Sequence, residues 1–133
     1  MACKSLILCL ALIAAACGGQ DPSLTEIQRV RSGDLDVVLL SNDGALNHGK
    51  ETFAVEFRRG NGDLVDVGPV KVAATMPMAG MPPMMGDIRL EPAGVPGRYS
   101  GTSDLGMVGG WRLAIEWSGP AGRGSVSLNP TVQ

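Results

Sequence analysis

Three observations in this 133-residue chain predict an all-β fold. Glycine and proline are abundant, with 19 and nine copies, and they punctuate the chain without forming a repeat. Between them lie short segments in which apolar and polar residues alternate, the pattern of half-buried strands. No stretch carries a helical period. About seven such segments, joined by short turns, fit a β-sandwich of immunoglobulin-like type, preceded by a lipoprotein signal peptide.

The elements follow in chain order. Residues 1–16 read as the signal peptide: Lys4 gives a positive start, and Leu6 to Ala16 is an apolar core too short to cross a bilayer. Small residues lead into Cys17, the arrangement of a bacterial lipobox, with Ala14 where that motif more often has leucine. Residues 17–32 read as lipidated Cys17 and a polar tether with room for an edge strand. Residues 33–133 read as the sandwich domain. Its expected strands are 34–41, 52–59, 64–76 with a kink at Gly68-Pro69, 87–92, 97–103, 111–117 and 123–129. In 52–59, Phe53, Val55 and Phe57 share one face, with Glu56 and Arg58 on the other. In 111–117, Trp111, Leu113, Ile115 and Trp117 face inward, and Arg112 and Glu116 outward.

The address implied is the bacterial cell envelope, outside the cytoplasm, with the lipid on Cys17 as the membrane contact. Cys3 and Cys9 leave with the signal peptide and Cys17 is acylated, so no thiol remains for a disulfide. The domain must therefore hold together by its core. A net charge of −2 with interspersed signs argues against a nucleic-acid partner. The single histidine, and the absence of HExxH, CxxC and GxSxG patterns, argue against an enzyme.

One segment stands out. Residues 74–87, ATMPMAGMPPMMGD, hold Met76, Met78, Met81, Met84 and Met85. Thioether sulfur is a soft, neutral ligand that selects Cu(I), needs no deprotonation and cannot be lost to a disulfide. Read as a proline-broken loop, MPPM favours polyproline II, which separates Met81 and Met84 by roughly 9 Å. Three sulfurs around one ion must lie only about 4 Å apart. The loop must then fold back, with Gly80 and Gly86 placed to allow it. Met107 and His48 join the candidates through parity. If 64–76 is one bent strand, the connections carrying His48, Met76–Met85 and Met107 are the first, third and fifth, and share one end of the sandwich; if Gly68-Pro69 splits it into a hairpin, His48 moves to the opposite end and Met107 stays. Two other readings stand beside metal binding: the methionines form an adaptable protein-contact surface, or they pack. Trp111 similarly offers either a ring face for a cation or an ordinary core side chain.

The segments ATMPMAGMPPM and PGRYSGTSDLGMVGGWRLAIEW resemble the YtkA-like domain, which is related to FixH-like proteins. The match lies in Met76, Met78, Met81, Pro96, Gly97, Tyr99, Leu105, Met107 and Trp111, within about residues 34–128. The residues 83–85, PMM, lengthen the loop beyond the family pattern. The resemblance implies a small β-sandwich on an exported protein. It also implies a context of heavy-metal efflux or cytochrome oxidase assembly, with a protein of either kind as partner. A lipobox here replaces the membrane-spanning anchor of FixH-like proteins. The expected function is a lipid-anchored domain that holds or transfers Cu(I) through Met76, Met78, Met81, Met84, Met85 and Met107, with His48 as a further candidate. The alternative is a non-metal envelope adaptor or structural lipoprotein whose Met/Pro segment contacts a partner.

Overall fold

The computed structural model describes residues 23–133. The expected signal peptide, Cys17 and the tether up to residue 22 lie outside the described residues. Within them the chain is all-β and contains no helix. The strands are β1 Thr25–Ser32, β2 Leu35–Ser41, β3 Gly49–Arg59, β4 Val70–Met78, β5 Met81–Pro92, β6 Arg98–Leu105, β7 Gly109–Gly110, β8 Arg112–Gly119, β9 Gly122–Leu128 and β10 Thr131–Val132. Eight of them form one antiparallel ladder in the order β1-β2-β3-β6-β5-β4-β8-β9, and β7 pairs with β10. The ladder folds over on itself as a sandwich. It nearly closes, since the Asn129 N–H just after β9 donates to Gln28 Oε1 of β1 at 2.9 Å.

Period-2 alternation places the core as expected. Val37, Leu39, Phe53, Val55, Phe57, Leu113, Ile115 and Trp117 are all buried between the layers. The Phe57 ring meets Tyr99 and Trp117 edge-on, at centroid separations of 5.5 and 5.1 Å. The stretch 25–32, expected as tether with room for an edge strand, is the edge strand β1, hydrogen-bonded to β2 through Ser32↔Leu35 to Thr25↔Ser41. Glu56 and Arg58 do lie on the face opposite Phe57, yet both are buried. The Glu56 carboxylate holds Arg58 Nη2 at 2.6 Å and Arg98 Nε at 3.1 Å, so its charge is paired on both oxygens.

The expected bent strand 64–76 is divided. Residues 64–67 run back along the end of β3, where the Val65 N–H donates to the Phe57 carbonyl at 2.8 Å. After Gly68-Pro69 the chain crosses to the other layer and starts β4 at Val70. Tyr99 Oη donates to the Gly68 carbonyl at 2.6 Å and fixes this crossing. Burial, with the Asp66 charge adding to it, pushes the Tyr99 hydroxyl pKa up. Because the crossing is not a hairpin, the parity of the ends is that of one bent strand.

The strand that positions everything else is β5. Its first part pairs with β4 from Met78↔Met81 to Ala74↔Gly86, and its second part pairs with β6 from Asp87↔Asp104 to Pro92↔Tyr99. β5 therefore changes layers between Gly86 and Asp87. A Cβ at Gly86 would sit 2.4 Å from Leu105 Cδ2, 2.9 Å from Trp111 Cζ3 and 3.1 Å from Ala74 Cβ. Only glycine lets both layers close there. Gly86→Ala is expected to cost about 1–3 kcal/mol by overpacking. Gly106→Ala, in open space, should stay within about 0.5 kcal/mol. Urea denaturation midpoints of the two variants check the contrast.

Candidate functional site

The methionine segment is not a proline-broken loop. It is a β-hairpin whose two-residue turn, Ala79-Gly80, has Gly80 at φ +71°. β8 pairs with β4 only through Val70 to Thr75, and β6 pairs with β5 only from Asp87 onward. The hairpin tip therefore projects beyond its neighbours as a two-stranded arm. Residues 76–86 contain no ionisable side chain.

The register decides which sulfurs share a face. Met76 lies opposite Met84 and Met78 opposite Met81, with an irregularity between the two rungs. One residue, Pro77, separates the rungs on β4, and two, Pro82 and Pro83, separate them on β5. That is a β-bulge built from three prolines. None of them has an N–H to lose, so an interrupted rung at an edge is where they fit. The extra residue turns Met81 to the same side as Met84. Cross-strand partners share a face, as do residues two apart, so Met76, Met78, Met81 and Met84 form one thioether face. The bulge, and not a polyproline II turn, thus brings Met81 and Met84 together. Met85 pairs with Thr75 and points to the opposite side, apart from these four.

Met76 and Met84 are half-buried and pack on the sandwich core, whereas Met81 at the tip is exposed. The loop that carries Met107 leads into a close contact with this face at Gly109. Gly109 approaches so closely that a Cβ there would lie 2.7 Å from Met76 Cε, and its φ of +130° also suits glycine. The Trp111 indole N–H donates to the Met107 carbonyl at 2.9 Å and pins the 106–108 loop beside the arm. Trp111 is itself buried against Gly86, which makes it a core side chain and not an exposed ring for a cation.

His48 shares this end of the sandwich, as the parity argument expects, but not the thioether face. Its N–H donates to the Gln133 carbonyl at 2.8 Å, and Nδ1 lies 3.0 Å from the same oxygen. A carbonyl only accepts, so Nδ1 carries the proton in that hydrogen bond. β10 pairs with β7 and also bridges Leu46, so both short strands lie between His48 and Met76. The His48 loop is held by Asp43, which binds Asn47 Nδ2 at 3.1 Å, the Ala45 N–H and Ser41 Oγ. The hydrogen bond from Asn47, then those from Ala45 and Ser41, hold the Asp43 carboxyl below its usual range. Among the described residues no group of three His, Cys, Asp or Glu side chains is placed to hold a metal ion.

The fold and this arm define a small β-sandwich with a methionine hairpin at one end. The YtkA-like family model matches residues 29–116, and the chain belongs to that family. No curated protein matches it. Two solved structures are similar. One is the Lin-41 filamin domain, at 17% identity and a TM-score of 0.46, covering 67% of this chain and 81% of that one. The other is FetP of uropathogenic E. coli strain F11, recombinantly expressed in the E. coli periplasm. It has 11% identity and a TM-score of 0.45, and the match covers 81% of this chain and 95% of that one.

Packing and exposure divide the four methionines. Met76→Ala and Met84→Ala should each cost about 1–3 kcal/mol of stability, because each removes partly buried core contacts. Met81→Ala, at the exposed tip, should stay within about 0.5 kcal/mol, and Met78→Ala, half-buried but outside the core contacts, should cost less than either inner variant. Chemical denaturation of the four single variants tests the division.

Proposed function

We propose that the protein is an exported, lipid-anchored domain that holds or hands on Cu(I) through the thioether face of its hairpin. The observation that carries this reading is the register: two opposed methionine pairs, Met76–Met84 and Met78–Met81, on one face of an uncharged arm. The donor set fits the ion. Opposed Cβ atoms lie roughly 5 Å apart across a strand pair, and rotation about the Cα–Cβ and Cβ–Cγ bonds repositions each sulfur from there. Sulfurs from such pairs can close to the roughly 4 Å that a three-coordinate soft ion needs. Met107, on the pinned loop next to Gly109, is the candidate that would complete the set from outside the arm.

In this reading Met76 and Met84 have two tasks, packing the sandwich end and offering sulfur, while Met78 and Met81 present sulfur to an exchanging partner. The partner class is an envelope metal-efflux or oxidase-assembly protein. Holding and transfer need no general acid, base or nucleophile, and the reading assigns none. The bacterial envelope address and the lipid on Cys17 belong to the same proposal, supported by the signal-like first 16 residues.

Thioethers do not titrate in the physiological range, and His48 lies beyond β10 and β7, so binding should be nearly indifferent to pH. Titration against a Cu(I)-selective chelating dye provides the test. The Met78→Leu/Met81→Leu double variant, which spares the core, should lose at least about tenfold in affinity, or 1.4 kcal/mol. Met85→Leu and His48→Gln should bind as the native domain does. A double variant that binds as tightly as the native protein would sink the copper reading.

A further inference from the structure

Exposed apolar side chains are unevenly distributed over the described residues. Of the large aliphatic and thioether side chains that are exposed, Met81, Met85, Met107 and Val108, at 63, 67, 40 and 57% exposure, lie at the methionine end, and Val95 lies at the other with smaller exposed groups such as Pro96 and Ala121. The chain also enters at this end. Thr25 opens β1 opposite Ser41, the last residue of β2, and Leu24 packs beside it on Val38, Leu40 and Ala54. Six residue steps separate Cys17 from Ser23, a span of at most about 22 Å. β3 alone, with 11 residues, runs roughly 35 Å toward the far end. A lipid on Cys17 therefore keeps the methionine end within reach of the bilayer in every orientation of the domain, whereas the far end is free to stand clear.

We infer that the sandwich stands end-on, with Met81, Met85, Met107 and Val108 seated in the headgroup layer of the membrane that holds Cys17. This rests on the lipid anchor proposed above. The occupant of the apolar end is lipid because the tether fixes lipid there at high effective concentration, so a few weakly apolar side chains suffice to set the orientation. Charges at this end are of both signs, Lys50 and Arg112 against Asp43, Asp87 and Asp104, so the contact is apolar and not a response to anionic lipid. The consequence is that the thioether face lies at headgroup level and opens sideways, where it meets membrane-embedded partners ahead of freely diffusing ones.

The test uses the full-length lipidated protein in phosphatidylcholine vesicles containing brominated acyl chains. A fluorophore is placed on Ala79→Cys in the hairpin turn or on Ala121→Cys in the β8–β9 turn at the opposite end. Residue 79 should be quenched at least about threefold more strongly than residue 121, as shallow interfacial insertion requires. The difference should persist at high salt. It should shrink in the Met85→Ser/Val108→Ser variant, which removes apolar surface and leaves the four-methionine face intact. Equal quenching at both positions, with Cys17 acylated by mass spectrometry, overturns the end-on contact and leaves the anchor standing. Strong quenching at residue 79 that the serine variant does not reduce assigns the orientation to the tether alone and overturns the apolar contact. An unmodified Cys17 overturns both the anchor and the contact, and none of these results alters the dye titration of copper.

Discussion

A single strand belongs to both layers of this sandwich, and its passage between them depends on one atom that is missing. At Gly86 the backbone of β5 lies against Leu105, Trp111 and Ala74 with no room for a Cβ. Up to that point β5 follows β4, and beyond it follows β6. Two features of the molecule result from the switch. At the methionine end the strand leaves its neighbours behind and forms the projecting arm. At the other end β4 and β5 part, leaving a groove of about 610 Å³ lined by Val70, Leu90, Pro92 and Tyr99 among others. Packing at one glycine thus sets both the reach of the hairpin and the opening of the opposite seam.

The arm poses a second problem, because its outer edge offers unpaired backbone groups to any passing strand. Pro82 and Pro83 take two consecutive donors out of this stretch of β5, and Pro77 faces them across the ladder. The same three residues create the bulge that rotates Met81 onto the face of Met84. Protection against edge pairing and alignment of the sulfurs therefore come from one sequence feature. A leucine in place of Pro82 or Pro83 would restore a donor, and with it the option of a regular ladder in which Met81 and Met84, three residues apart, fall on opposite faces.

Much of this architecture was legible in the sequence because period 2 is a local code. WRLAIEW and TFAVEF name their buried faces directly, and the parity of the connections places His48, the hairpin and Met107 at one end. The parts that were not legible depend on pairing across the chain. MPPM reads locally as polyproline II, and only the register with β4 shows it to be a bulge. Glu56 and Arg58 occupy outward-facing positions by alternation, and their burial follows from Arg98, 42 residues beyond Glu56, closing on the same carboxylate. The separation of His48 from the thioethers follows from β7 and β10, two-residue strands without any periodic signal. Even β1 carries too little apolar character to declare itself, since it pairs along one edge only.

The division within the methionines bears on why thioethers occupy this arm at all. A projecting two-stranded arm needs an inward contact to hold its angle, and the transfer of Cu(I) proposed above needs donors that reach solvent. Leucine meets the first need and histidine the second. Methionine meets both, because its apolar stem packs irregular gaps while its sulfur remains a ligand. The inner pair, Met76 and Met84, fixes the arm against the core, and the outer pair continues the same face past the last rung where packing ends. A single residue type repeated along one register can then grade from structural to exchangeable without introducing a charge, which a cation-free state of the arm would otherwise leave unpaired on a low-dielectric surface.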